Sequence, residues 1–152
     1  MNETGRILAI DYGARRIGVA VSDPLRLTAQ SLPTIEAKGL EKVFSGLEAI
    51  IADRKVTEIV VGMPLNLKGE KSAAAQKVEK FVQNLKNRFD LPVHFWDERW
   101  TSIAAQRTIL EFGKSPSRHK KKVDQISALL ILQSFLDHLN FKNQKPGQGA
   151  DS

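Results

Sequence analysis

Three carboxylates fall where a strand ends or a helix begins. Asp11 closes the apolar run I-L-A-I-D, Glu98 follows P-V-H-F-W-D, and Asp124 comes directly after the basic run K-K-K-V. Oxygen donors with few other ligands suit hard divalent cations, Mg2+ or Mn2+, which keep part of their water shell. Two such ions about 3.5–4 Å apart can clamp the attacking and leaving oxygens of an in-line phosphoryl displacement. That chemistry needs no side-chain nucleophile, and the chain has no cysteine to supply one. Each acid alone has a plainer reading. Asp11 could end a strand or pair with Arg15 or Arg16, Asp124 could complement a helix dipole, and Asp97-Glu98-Arg99 could be a surface ion-pair cluster.

The acids act together only if the fold gathers them. Ile7–Asp11 and Ile17–Ser22 read as strands joined by a turn at Gly13-Ala14-Arg15, and Leu27–Ile35 as a third, interrupted at Pro33 and so expected at an edge. Leu40, Val43, Phe44, Leu47, Ile50 and Ile51 then recur at helical spacing. A buried strand follows at Glu58–Gly62, an amphipathic helix from about Glu70 to Phe89, and a fifth strand at Pro92–Trp96. Thr101 or Ser102 caps a helix ending near Phe112. Residues 114 to 122, K-S-P-S-R-H-K-K-K, read as a polar basic loop, and Val123 to about Leu139 as a largely buried last helix with Asp124 in its first turn. The order β-β-β-α-β-α-β-α-α predicts an α/β fold, one mixed five-stranded sheet flanked by helices. Ligands of such sheets gather beyond the carboxyl ends of parallel strands. If strands one, four and five are parallel, Asp11 and Glu98 reach one edge. Ser127 and Ala128 would let the last helix bring Asp124 there.

The 152 residues suit one domain, with residues 1–140 folded and 141–152 a polar, disordered tail. Apolar residues at 41% and charged residues at 26% are ordinary for a globular protein. The absence of cysteine, of a signal-peptide layout and of any membrane-spanning run predicts a cytoplasmic protein without a membrane partner. A formal net charge of +6 favours polyanionic partners.

Four segments resemble the YqgF/RuvX family of pre-16S rRNA nucleases, also described as Holliday-junction resolvase-like. They are I-D-Y-G-A-R-R-I-G-V-A-V-S-D (10–23), V-V-G-M-P-L-N-L-K-G (60–69), D-E-R-W-T-S (97–102) and K-K-K-V-D-Q-I-S-A-L-L-I-L (120–132). The resemblance covers roughly residues 6 to 140. It implies an RNase H-like fold and metal-dependent cleavage of nucleic-acid phosphodiesters. The expected catalytic and metal-binding acids fall on Asp11, Glu98 and Asp124. Two departures stand out. Many RNase H-like enzymes carry an acid at the end of the fourth strand, where this chain has Gly62-Met63-Pro64, so Glu98 must serve instead. Trp100 replaces an aliphatic residue in D-E-R-L-T.

Around these acids, Gly13 permits a tight turn or a close approach to phosphate. Arg15, Arg16 and Arg99 are candidate phosphate contacts, Arg99 alternatively holding Glu98 or Asp11. Asn66 is a turn residue or a polar contact at the sheet edge, and Thr101 and Ser102 are helix caps that could also meet substrate. Lys114, Arg118, Lys120, Lys121 and Lys122 form a basic clamp beside Asp124. His94 and His138 read as structural, and Trp96 and Trp100 as core or boundary aromatics. The partner is structured RNA or branched DNA. The functions in view are 5' processing of pre-16S rRNA, resolution of four-way DNA junctions, or non-catalytic binding of structured nucleic acid. Actin-like ATPases share the I-D-Y-G start but bind ATP between two such domains.

Overall fold

The computed structural model describes residues 5–65, 68–101 and 116–144; within the last segment the side chains described are those of residues 125–142. Five strands, β1 (Arg6–Tyr12), β2 (Arg16–Ser22), β3 (Ala29–Glu36), β4 (Val56–Met63) and β5 (Val93–Asp97), form one sheet in the order β3-β2-β1-β4-β5. The first three make an antiparallel meander, and β4 and β5 join β1 in parallel. β3 is an edge strand, as Pro33 predicts, because a missing N–H costs nothing on an unpaired edge.

Alternation along β1 divides the core. Leu8 and Ile10 face α1 (Leu40–Arg54) and α2 (Ala73–Arg88), packing with Phe44, Leu47, Val78, Phe81 and Leu85. Ile7 and Ala9 face the other way, onto Ala128, Ile131, Leu132 and Phe135 of α3 (Pro116–Gln144). Small side chains at Ala9, Ala20 and Ala128, all fully buried, let α3 lie close to the sheet. Truncating a buried aliphatic residue such as Ile131 to alanine would cost about 2–5 kcal/mol. Ser72 caps α2 by accepting a hydrogen bond from the Ala75 N–H.

The C-terminal region corrects the sequence reading. The basic segment is not a loop from Pro116 onward, and the last helix starts there instead of at Val123. Proline suits a first helical position, and Lys and Arg are good helix formers, so the run extends the helix. Asp124 is therefore the ninth helical residue, not a first-turn residue. The helix also continues to Gln144, past the expected tail boundary. α3 is less uniformly buried than expected: Gln133, Asp137 and His138 form an exposed side. The expected helix from Ser102 to Phe112 lies outside the described residues.

Candidate active site

Asp11 sits near the end of β1, opposite Gly18 of β2, and is only 5% exposed. By alternation it belongs to the Ile7–Ala9 face, under α3. Tyr12 points the other way and stacks on Phe81 at 4.4 Å between ring centroids, which fixes the strand end. The following turn requires glycine. A Cβ on Gly13 would stand 2.6 Å from the Arg16 carbonyl oxygen. Arg15 is exposed, and its carbonyl accepts from the Ala37 N–H at 2.9 Å. Arg16 opens β2, with Nε and Nη1 buried.

Glu98 begins a single 3-10 turn, Glu98–Trp100, immediately after β5. Its backbone is held at both ends. The buried Asp97 side chain accepts from the Arg99 N–H at 2.9 Å, and the Glu98 carbonyl accepts from the Thr101 N–H and hydroxyl at 3.1 and 3.0 Å. Asp97 also takes both arms of the Arg99 guanidinium, with Nε at 3.0 Å and Nη2 at 2.5 Å. These charge-assisted bonds, foremost the side-chain bonds from Arg99, hold the Asp97 carboxyl below its ordinary pKa. Arg99 is thus engaged with Asp97. The same guanidinium lies against the β4–α2 connection. A Cβ on Gly69, whose φ is +81°, would sit 3.3 Å from both Nη atoms. Thr101 closes this turn.

The turn directs the Glu98 side chain back over β4. A Cβ built on Gly62 would lie 2.9 Å from Glu98 Oε2 and 2.5 Å from Ile131 Cδ1. Gly62 is one step beyond Val61, the register partner of Ile10, and Asp11 is one step beyond Ile10. Both carboxylates therefore occupy the α3 face at the carboxyl ends of the parallel strands.

α3 runs antiparallel to β1 along that face. Near its C-terminal end, Asn140 donates to the carbonyl of Arg26 at the opposite end of the sheet, whereas Ile131 meets Gly62. Positions N-terminal to Ile131 therefore approach the edge that holds Asp11 and Glu98. Ser127, Ala128 and Ile131 are all buried. Asp124 precedes them by three, four and seven residues and stands on the same helical stripe, about 10 Å along the axis from Ile131. The Asp124 side chain lies outside the described residues, as do those of Arg118, Lys120, Lys121 and Lys122. Asn66, Ser102 and Lys114 lie outside them entirely. Among the described residues no cluster of three or more His, Cys, Asp or Glu side chains is assembled. The donor chemistry of Asp11 and Glu98 suits a hard divalent ion, and Asp124 is the position from which a third oxygen ligand would come.

Sequence reasoning missed Asp97, whose partner Arg99 is only two residues away and whose burial depends on the tertiary fold. His94 does prove structural, its Nε2 lying 2.5 Å from Glu58, which also pairs with Arg26.

A meander continued by two parallel strands, with an acid at the end of the first and helices on both faces, defines an RNase H-like α/β protein. RuvC of T. thermophilus, solved in complex with a Holliday junction substrate, shares this fold with a TM-score of 0.54 at 15% identity, over 93% of this chain and 96% of that one. The chain belongs to the RuvX family, described as Holliday junction resolvase, whose profile matches residues 5–138. It is 45% identical over 142 residues to a Koribacter versatilis protein, covering 93% of each chain. It is also 45% identical over 141 residues to a Sulfurihydrogenibium protein, covering 91% of this chain and 94% of that one. Both relatives carry the name "Putative pre-16S rRNA nuclease". Among the described residues, no helix is long and apolar enough to cross a membrane.

Proposed function

We propose that this chain is a cytoplasmic, metal-dependent nuclease that processes the 5' end of pre-16S rRNA, with Asp11, Glu98 and Asp124 as its metal ligands. The observation that carries this reading is the placement of Asp11 and Glu98 on one face and one edge of the sheet, with Gly62 leaving room for the Glu98 carboxylate over β4. Bound Mg2+ or Mn2+ would set positive charge against the scissile phosphate and lower the pKa of water there. The protein's own part is to hold the oxygens. Asp11 is fixed by burial at a strand end, and Glu98 by the hydrogen-bonded turn on either side of it. Arg15, beside the turn after β1, and the basic stretch from Lys114 to Lys122 would engage the substrate backbone. The names of the relatives favour RNA.

Resolution of branched DNA is the second reading, favoured by the family's description and by the junction bound to RuvC. One experiment separates them. Structured RNA bearing a precursor 5' end and a four-way DNA junction are each incubated with wild type and Asp11→Asn, in Mg2+ or Mn2+. RNA trimming that disappears in the variant supports rRNA processing. Paired nicks in the junction, equally lost, support resolution. Salt-sensitive binding without cleavage of either substrate overturns the nuclease assignment.

A further inference from the structure

Gly62 and Gly69 belong to one segment of the chain, and each receives a different side chain of the turn after β5. Glu98 lies over Gly62, where a Cβ would come within 2.9 Å of its Oε2. Arg99 lies against Gly69, where a Cβ would stand 3.3 Å from Nη1 and Nη2 and 3.6 Å from Cζ. Gly69 therefore faces the outer end of the guanidinium, while Asp97 holds the side that carries Nε and Nη2. The φ of +81° at Gly69 favours glycine as well.

The surface on which the guanidinium rests is anchored without it. Leu65 packs on the α1–α2 core, and its bridge to Lys71 closes the β4–α2 connection into a short antiparallel loop. Lys71 pairs with Glu79 of α2, and Ser72 caps that helix. Gly69 lies between these tethered ends. The turn that carries Glu98 is by contrast a single 3-10 turn of three residues, a conformation with poor hydrogen-bond geometry of its own. A carboxylate that binds metal must be held to within about 0.5 Å, which takes support from neighbouring side chains.

We infer that Gly69 is a positioning residue for Glu98: the β4–α2 connection seats the Arg99 guanidinium, and the seated guanidinium sets the turn that aims Glu98. This rests on the nuclease reading, in which Glu98 is a metal ligand, and gives that ligand its support. It also assigns Arg99 a positioning role and removes it from the candidate phosphate contacts. A methyl group at position 69 would push the guanidinium outward, and the Asp97 bonds that brace the turn would move with it.

The test uses the full chain, first without metal. The Arg99 N–H donates to Asp97 Oδ1 and the Thr101 N–H to the Glu98 carbonyl, so hydrogen exchange of these two amides by NMR reports on the turn itself. Gly69→Ala should speed exchange at both and leave the β1 amides unchanged. Isothermal titration calorimetry then measures Mn2+ affinity, which should fall roughly 10- to 100-fold in Arg99→Gln and by a smaller factor in Gly69→Ala. In the double variant Gly69→Ala should add nothing, because the atoms its methyl meets are gone. The dependence of RNA affinity on salt, taken without metal, should be the same in wild type and Arg99→Gln. Gly69→Asn, a residue type that tolerates the left-handed region, takes the place of Gly69→Ala if that variant fails to fold.

Unchanged exchange and unchanged Mn2+ affinity in Gly69→Ala overturn the inference. So does a Gly69→Ala loss that adds in full to that of Arg99→Gln, which would be backbone strain acting without the guanidinium. A salt slope lowered by about 0.7–0.9 in Arg99→Gln would make Arg99 a phosphate contact and overturn it too. Metal-dependent cleavage that is lost in Asp11→Asn but insensitive to Gly69 leaves the nuclease reading standing without this residue. If wild type neither binds Mn2+ nor cleaves RNA or DNA, the nuclease reading fails, while amide exchange still decides whether Gly69 holds the turn.

Discussion

The carboxylate of Glu98 lies in the space that a side chain at Gly62 would fill. Many RNase H-like enzymes place an acid at the end of the fourth strand; here that position is glycine, and the acid arrives from the turn after β5. The oxygen lands over β4 in either arrangement, but in this chain its position depends on a residue without a side chain.

Gly62→Ala should therefore impair both fold and site. Its methyl group would meet Ile131 Cδ1 at 2.5 Å and Glu98 Oε2 at 2.9 Å. Ile131 is wholly buried in α3 and Glu98 only partly buried, so Glu98 would be displaced first. A stability loss of about 1–3 kcal/mol is expected for such overpacking. Metal-dependent cleavage should fall further than that loss explains at temperatures where the variant stays folded. Urea unfolding and cleavage rates on the same preparation check this. Normal activity in a folded Gly62→Ala protein would contradict the placement of Glu98 at the reacting edge.

Asp11→Asn separates metal binding from folding. Asp11 is buried at the end of β1 and asparagine matches it in size and shape, so the variant should stay folded without metal. Added Mn2+ should raise the wild-type Tm by mass action and leave the variant's Tm unmoved. Cleavage should drop at least about 100-fold, on the order of losses from single groups that stabilise a transition state electrostatically. Differential scanning calorimetry with and without Mn2+ gives the first result. Equal Mn2+ shifts in the two proteins would place the metal elsewhere.

Much of this site could be read from residue types alone. The alternation of β1 and the acid at its end locate Asp11, and the strand–helix–strand order makes β1, β4 and β5 parallel, which brings Glu98 to the same edge. What the sequence hid is long-range or masked by a stronger local pattern. Gly62 in V-V-G-M-P looks like a strand terminator; its role shows only when Glu98 and Ile131 converge on it. Five cations between positions 114 and 122 looked like a solvated loop and obscured the Pro116 helix-start signal. Asp97 looked like part of a surface cluster because nothing local announces its burial.

Asp97→Asn should loosen the turn that carries Glu98 and change the acid limb of stability. Asparagine can still accept from the Arg99 N–H, but the charge-assisted bonds from the guanidinium are lost, at about 1–2 kcal/mol near neutral pH. The sign follows from the lowered folded-state pKa. The Asp97 contribution is fully present above the ordinary value of 3.8 and disappears as pH falls through the lower folded value. Wild type and variant should therefore differ most above pH 4 and converge below it. Asp23 behaves alike: burial raises its pKa, but backbone N–H bonds from Thr28, Leu27 and Leu25 and the Thr28 hydroxyl lower it more, so both proteins keep that part of the acid dependence. Urea midpoints measured across the acid range test this; a gap that widens with acidity would reverse the assignment. Arg99→Lys, which keeps the charge but not the fork, should retain only part of the wild-type cleavage rate.

The start of α3 at Pro116 makes a prediction for the basic run that a loop would not. At 100° per residue, positions 120 and 121 lie within about 60° of Asp124 around the helix, and position 122 lies about 160° away. Positions 120 and 121 therefore belong to the stripe that leads to the proposed catalytic edge, and position 122 belongs to the far side. Each lysine on a phosphate adds about 0.9 to the slope of log K against log salt on a duplex. Lys120→Gln and Lys121→Gln should each lower that slope by roughly 0.7–0.9 and weaken binding to all sequences alike. Lys122→Gln should change neither measurably. Anisotropy titrations of the three variants at several salt concentrations distinguish the cases. Equal effects at all three positions would mean that the segment meets nucleic acid as an extended loop and that the helix does not persist in the complex.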